Sequence, residues 1–184
     1  TSLTHYVEDP VVSLTISTLI VLGGIGFSVI ANVVKEKRFS RFVLHTKIVL
    51  LTTFILLVFG TVAIFCLEFT NAKTLQPLSY QGKILASCFQ AVTPRTAGCN
   101  TLNIGDMTVA SQFLIVILMF IGASPGSTGG GIKTTTFAAI MLGVLSIIKG
   151  EEDTKIYARR LPRDQILKGA TLVFIAFLLV ISVT

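Results

Sequence analysis

The sequence predicts an all-α membrane protein: a helix, a short helix that dips into the bilayer and comes back, and a second helix broken near mid-membrane. Three observations carry that prediction. Residues 10–34 and 48–67 form runs of 25 and 20 residues without a charge, against the roughly 20 needed to cross a hydrocarbon core about 30 Å thick. Only 13% of the 184 residues are charged and 52% are apolar, far from the roughly 25% charged residues of a soluble domain. A glycine- and proline-rich segment, residues 122–136, interrupts an apolar stretch that begins near Thr108. This composition argues against an ordinary cytosolic enzyme.

The first run, 10–34, and the second, 48–67, each read as a membrane-spanning helix. A third run, 165–184, carries only Lys168 and reads as the start of another. It stops without a polar tail, the first residue is Thr1, and no basic stretch followed by a short apolar one and a cleavage site precedes Pro10, so an internal fragment of a longer membrane protein is expected. Of 15 basic residues, 11 fall in two loops: Lys35, Lys37, Arg38, Arg41 and Lys47 in one, Lys149, Lys155, Arg159, Arg160, Arg163 and Lys168 in the other. Excess Lys and Arg marks cytoplasmic loops. The first helix therefore runs inward, the second outward, and the last outward again.

Residues 69–108 must then begin and end outside. Their apolar part, residues 84–92, is about 13 Å of helix at 1.5 Å per residue, too short to cross. A helix over 80–92 is expected, closed by Thr93-Pro94 because the residue before proline is pushed out of the helical region, with residues 93–101 returning as a strand. The stretch 108–149 has to cross once, yet as a continuous helix it would be about twice the membrane thickness. Gly122, Pro125, Gly126, Gly129, Gly130 and Gly131 supply the interruption, since both residue types disfavour helix. Irregular backbone at that depth survives only inside protein or beside water. A dipping helix beside a broken helix outlines a transport pathway.

The carboxyl end of the dipping helix would bring partial negative charge to mid-membrane, which favours a cation. The return segment contains Thr96-Ala97-Gly98, the Thr-x-Gly spacing of filters whose backbone carbonyls replace a potassium ion's hydration shell. Lys133 is the lone charge between residues 108 and 148; a charge at that depth is costly unless paired or wet, which favours a role at the pathway or its gate over a structural pairing with a backbone carbonyl or a partner beyond this segment, or snorkelling. Arg95 is expected to brace the hairpin in preference to repelling ions directly. Glu68 and Asp106 flank the outer mouth, where they either concentrate cations or merely face solvent. Gly23, Gly24 and Gly26 suggest close helix packing. Cys66, Cys88 and Cys99 lack CxxC spacing and read as small apolar fillers, and His5 and His45 have no metal-like company. The net charge of +6 sits in loops between apolar runs, so no nucleic-acid partner is expected. Residues 126–133 are not a nucleotide-binding loop, because Ile132 separates Gly131 from Lys133 and no strand precedes them. Ser124 and Ser127 lack a neighbouring base that would make either a nucleophile.

Phe89-Gln-Ala-Val-Thr-Pro-Arg-Thr-Ala-Gly98, followed by Met119-Phe-Ile-Gly-Ala-Ser-Pro-Gly-Ser-Thr-Gly-Gly-Gly-Ile-Lys-Thr-Thr135, resembles the Ktr/Trk/HKT potassium transporter superfamily, most closely its bacterial Ktr branch. Leu22-Gly-Gly-Ile-Gly-Phe27 and Leu44-His-Thr-Lys47 carry the likeness across the chain. The resemblance implies four helix–pore helix–helix repeats around one pore, as in potassium channels. Residues 1–46 would be the inner helix of the second repeat and a cytoplasmic loop. Residues 47–150 would be the whole third repeat: outer helix 47–69, pore helix 80–92, filter strand 93–101 and broken inner helix 108–149. Residues 151–184 would be a cytoplasmic loop and the outer helix of the fourth.

By the same resemblance, carbonyls of Thr96, Ala97, Gly98 and Cys99 contribute to a potassium filter. Cys99 departs from the aromatic residue that many members carry there. Gly122, Ala123, Ser124, Pro125, Gly126, Ser127, Thr128, Gly129, Gly130, Gly131 and Lys133 would belong to an intramembrane gate loop, within residues 122–136. The expected activity is potassium uptake across a bacterial inner membrane without enzymatic chemistry, with a sodium or mixed transporter as the alternative. The expected company is membrane lipid, a second copy in a homodimer, a cytosolic nucleotide-binding regulatory ring that residues 151–165 could dock, K⁺ as cargo and Na⁺ as a candidate coupling ion. No covalent cofactor is expected, nor any metal beyond the cation held by filter carbonyls.

Overall fold

The computed structural model describes residues 3–150, 155–156, 159–160 and 163–183. Helix α1 (Pro10–Ile25) starts where Asp9 accepts hydrogen bonds from the amides of Val11 and Val12, with Pro10 at the first helical position. It stops at Gly26, and α2 (Phe27–Glu36) leaves at 97° to it. The uncharged run 10–34 is therefore not one straight helix. Gly26 has φ +95°, a conformation open to glycine and strained for residues with a Cβ.

Helix α3 (Leu44–Glu68) is the central post: its 25 residues are long and apolar enough to cross a membrane, and α4, α5 and α6 pack around it. Helix α4 (Tyr80–Val92) is the short dipping helix, capped by the Ser79 hydroxyl on the Gly82 amide. Gly60 of α3 lets it close in, since a Cβ there would lie 3.0 Å from the Ala91 Cβ and 3.1 Å from a Leu118 methyl. Small residues at such contacts let helices approach in lipid, where helix association gains little from the hydrophobic effect. Phe89 and Gln90, the two residues before Ala91, are fully buried.

Helices α5 (Val109–Phe120) and α6 (Thr134–Ile148) are the halves of the broken stretch. The helix resumes at Thr134, so residues 134–136, expected in the loop, are its first turn, and the irregular part is residues 121–133. Two packed clusters seal α5 against its neighbours: Ile64, Ala91, Met107 and Ile115 nearer its start, Leu56, Leu118 and Ile121 at its end. A two-residue antiparallel ladder, β1 (Lys155–Ile156) with β2 (Arg159–Arg160), precedes α7 (Arg163–Val183). The rest of the 151–165 docking segment lies outside the described residues or is described by its backbone alone. Helix α7 packs on α6, where Gly169 lets the Thr136 side chain approach to 3.1 Å of the position a Cβ would take.

Candidate functional site

The segment after α4 is wound, not extended. Thr93 keeps helical angles, φ −60° and ψ −33°, despite the proline that follows. Arg95 and Ala97 then donate their amides to the carbonyls of Val92 and Thr93 at 3.2 and 3.3 Å, so residues 93–97 are turns. The return strand expected at 93–101 is corrected accordingly. The proline still acts: it cannot donate a hydrogen bond, and α4 ends just before it. The chain reverses through two left-handed residues, Thr96 at φ +61° and Gly98 at φ +72°. Thr96 lacks glycine's freedom and is held where a side-chain-bearing residue costs about 1–3 kcal/mol. Strain of that kind persists only where the surroundings fix it.

Those surroundings are specific. The Thr93 hydroxyl donates to the Cys99 carbonyl, and the Thr96 hydroxyl to the Arg95 carbonyl at 2.7 Å. Asn100 accepts from the Leu3 amide at 2.7 Å. Arg95 is 6% exposed and donates to the Thr53 carbonyl in α3 at 3.3 Å. It braces the reversal onto the central post.

The 121–133 loop lies against this reversal. A Cβ on Gly129 would meet the Thr96 hydroxyl at 2.9 Å as well as Ala123, and one on Gly130 would stand 3.9 Å from the Thr96 methyl. The loop is a tight hairpin: Ala123 donates to Gly130 at 3.1 Å, Ile132 to Phe120 at 3.1 Å and Thr134 to Ala123 at 3.3 Å. Gly122 and Gly131 touch at its neck, and a Cβ on Gly122 would overlap the Gly130 carbonyl. The buried hydroxyls of Ser124 and Thr134 pair at 2.9 Å. Lys133 donates its ammonium to the Gly129 carbonyl at 2.9 Å, so this lone charge ties the loop to itself. Its other side borders a groove of about 610 Å³ facing α7, lined by Phe120, Ile132, Leu172 and Ala176 among others.

The same loop seats on the bend between α1 and α2. Ser124 donates its amide to Gly24 at 3.0 Å, Thr128 donates to Gly23 at 3.3 Å, and Phe27 donates to Gly126 at 3.2 Å. The Thr128 hydroxyl adds a second bond to Gly23, also 3.3 Å. The reading of Gly23, Gly24 and Gly26 as helix packing alone misses this seat. Its sequence signal is the Gly-Gly-Ile-Gly run inside an apolar helix, which marks close backbone approach as well as packing.

On the opposite side, Glu68 at the end of α3 is fully buried. One carboxylate oxygen accepts from the Asn71 amide group and the Thr74 hydroxyl at 2.7 and 2.6 Å. The other accepts from the Thr108 amide and hydroxyl at 2.8 and 2.7 Å. Its oxygens face donors of the protein, so it does not serve as an exposed cation attractor. It sits at the N-terminus of α5, where the helix dipole favours negative charge. Asp106 bonds Asn103 at 2.7 Å on the surface. Thr96, Ala97, Gly98 and Cys99 thus stand in one strained reversal, and residues 122–133 form one docked hairpin touching it. Among the described residues no cluster of His, Cys, Asp or Glu could hold a metal ion.

The family of TrkH cation transport proteins matches residues 1–184. The Ktr system potassium uptake protein B of Bacillus subtilis is 42% identical over 187 residues, covering 100% of this chain and 42% of the relative. Its namesake in Vibrio alginolyticus is 35% identical, covering 95% and 39%. The potassium/sodium uptake protein NtpJ of Enterococcus hirae is 32% identical, covering 93% and 39%. The chain spans about two fifths of these relatives. The crystal structure of the potassium transporter TrkH from Vibrio parahaemolyticus superposes with a TM-score of 0.71 at 18% identity, covering 93% of this chain and 37% of that one, a likeness of fold.

Proposed function

The chain belongs to the TrkH family of cation transport proteins, a class of membrane transporters and not of enzymes, and we propose that it forms part of the ion-translocating subunit of a bacterial potassium uptake system. In this reading the protein crosses the inner membrane several times. Thr96, Ala97, Gly98 and Cys99 contribute carbonyls to a selective filter, and the 121–133 loop is the gate beneath it. The observation that carries the reading is the seating of Gly129 and Gly130 directly against Thr96: the irregular 121–133 loop closes on the strained reversal.

The physics follows from the geometry. Helix α4 aims its carboxyl end at the reversal, which makes a dehydrating cation more stable there than in bare hydrocarbon. Carbonyls of the 96–99 reversal would replace its hydration shell. The driving force is the membrane potential, about 2.3 kcal/mol per unit charge per 100 mV, so no chemical step on the ion is required. A second copy, a cytosolic nucleotide-binding ring and a coupling Na⁺ belong to the same reading.

The test is rubidium uptake by the full-length transporter in bacteria lacking their own potassium uptake systems. Excess K⁺ should compete and excess Na⁺ should not. Gly98→Ser should weaken that preference, because φ +72° is disfavoured once a Cβ is present; equal competition ratios in variant and parent would overturn the filter assignment. The 32% identity to a potassium/sodium uptake protein favours one second reading, a sodium or mixed transporter of the same architecture, for which Na⁺ would compete in the parent.

A further inference from the structure

The bend at Gly26 and the hairpin loop satisfy each other's backbone. In a straight helix through residues 10–36, the Phe27 amide would donate to the Gly23 carbonyl four residues back. Here Phe27 donates to Gly126 of the loop at 3.2 Å instead, and the Gly23 carbonyl accepts from Thr128 twice, from its amide and its hydroxyl. The bend frees the Phe27 amide and the carbonyls of Gly23 and Gly24, and the loop takes all three, Gly24 by the Ser124 amide. In the gate reading these groups lie at membrane depth, where unpaired backbone is costly, so the two changes are linked: releasing the loop leaves Gly23 to pair with Phe27 and Gly24 with Ser28, which straightens the helix. The contact is close as well as paired. A Cβ on Gly26 would lie 2.6 Å from the Pro125 carbonyl, and Gly24 lies against Ala123.

From this we propose that the 23–26 bend is the seat of the gate and that Thr128 is the residue latching the loop onto it. Bent helix with docked loop is the closed state; straight helix with released loop is the open one. Helix α2 is then the lever. It carries the bend toward a basic turn at Lys35, Lys37 and Arg38, and Asn32 ties it to the start of α3 by accepting from the Val43 amide at 3.2 Å. Anything that pulls α2 into line with α1 withdraws the Phe27 donor from the loop. The proposal rests on the loop being the gate and adds what holds it shut.

The first test is a disulfide between Gly23→Cys and Thr128→Cys in the full-length transporter. A Cβ on residue 23 would lie 3.3 Å from the Thr128 hydroxyl oxygen, close enough for a bridge. The bridge should form under mild oxidation, seen as a protease-resistant link between fragments, and should abolish rubidium uptake until reductant restores it, with both single variants insensitive. A bridge that leaves uptake unchanged overturns the latch, and no bridge overturns the docking. The second test keeps size and removes one bond. Thr128→Val should raise uptake in the absence of a cytosolic regulator by about three- to tenfold, the usual worth of a neutral hydrogen bond, and Thr128→Ser should return it toward the parent. A fall or no change with Thr128→Val overturns the latch. If shortening the loop raises uptake but these variants do not, the gate reading stands and the latch falls. If neither has an effect, the gate reading falls first.

Discussion

The junction around Glu68 and the dock around Thr128 both tie a half of the broken helix to its neighbours, and they do so by opposite means. At the outer junction a buried carboxylate accepts four hydrogen bonds, from Asn71, Thr74 and twice from Thr108. Each is charge-assisted, roughly twice as strong as a neutral bond. At the inner dock all bonds are neutral and weaker, between 3.0 and 3.3 Å, and the main acceptor has a second donor waiting in its own helix. The N-terminal end of α5 is held by the stronger bonds and the loop at its C-terminal end by exchangeable ones. An element that must move needs neighbours able to re-pair once it has gone.

The contrast sets an order of expected effects. Glu68→Ala should be the most damaging, because it strands several buried donors; a loss of about 3 kcal/mol or more is expected, read as a fall in thermal unfolding temperature of the full-length transporter. A loss no larger than for a surface residue would break the comparison. Gly26→Ala should act on function more than on stability. The added Cβ disfavours φ +95° and presses on Pro125, which tips the bend toward the straight helix and raises regulator-free uptake several-fold. A drop in uptake would show that the bend is needed for conduction and not for closure.

The smallest effect concerns Glu8, which accepts from the Ser79 amide at 2.8 Å at the exposed start of α4. That bond holds its carboxyl below the usual value of 4.5. A lowered folded value means the stabilisation is full above about pH 4.5 and is lost as the pH falls through the folded value. Hydrogen exchange in the first turn of α4, corrected for intrinsic rates, should therefore speed up only on the acid side, and Glu8→Gln should abolish that acid dependence.

The sequence displays some of this plainly and hides the rest for physical reasons. The long helix α3 is legible because a charge-free run of 20 residues matches the length a bilayer crossing needs. The break between α5 and α6 is legible because glycine and proline are too dense there for helix. The bend at Gly26 is hidden, since its glycines sit in a run apolar enough to cross unbroken, and only the loop 100 or so residues later makes the bent form stable. Thr93 staying helical before Pro94 is a case of tertiary packing overriding a local preference: Phe89 and Gln90 are fully buried beneath it. Glu68 near the outer mouth reads as a cation attractor or a solvated residue until its donors are known: Asn71 and Thr74 lie within six residues of it, but Thr108 arrives from 40 residues along the chain.

The central claim is that residues 121–133 close the pathway under Thr96. Its most direct test is rubidium uptake by the full-length transporter with residues 126–130 removed, measured without any cytosolic regulator beside the intact protein. The account predicts faster uptake with K⁺ still competing over Na⁺, which would show the filter intact and the gate gone. Uptake unchanged from the parent, with the same competition, would contradict it.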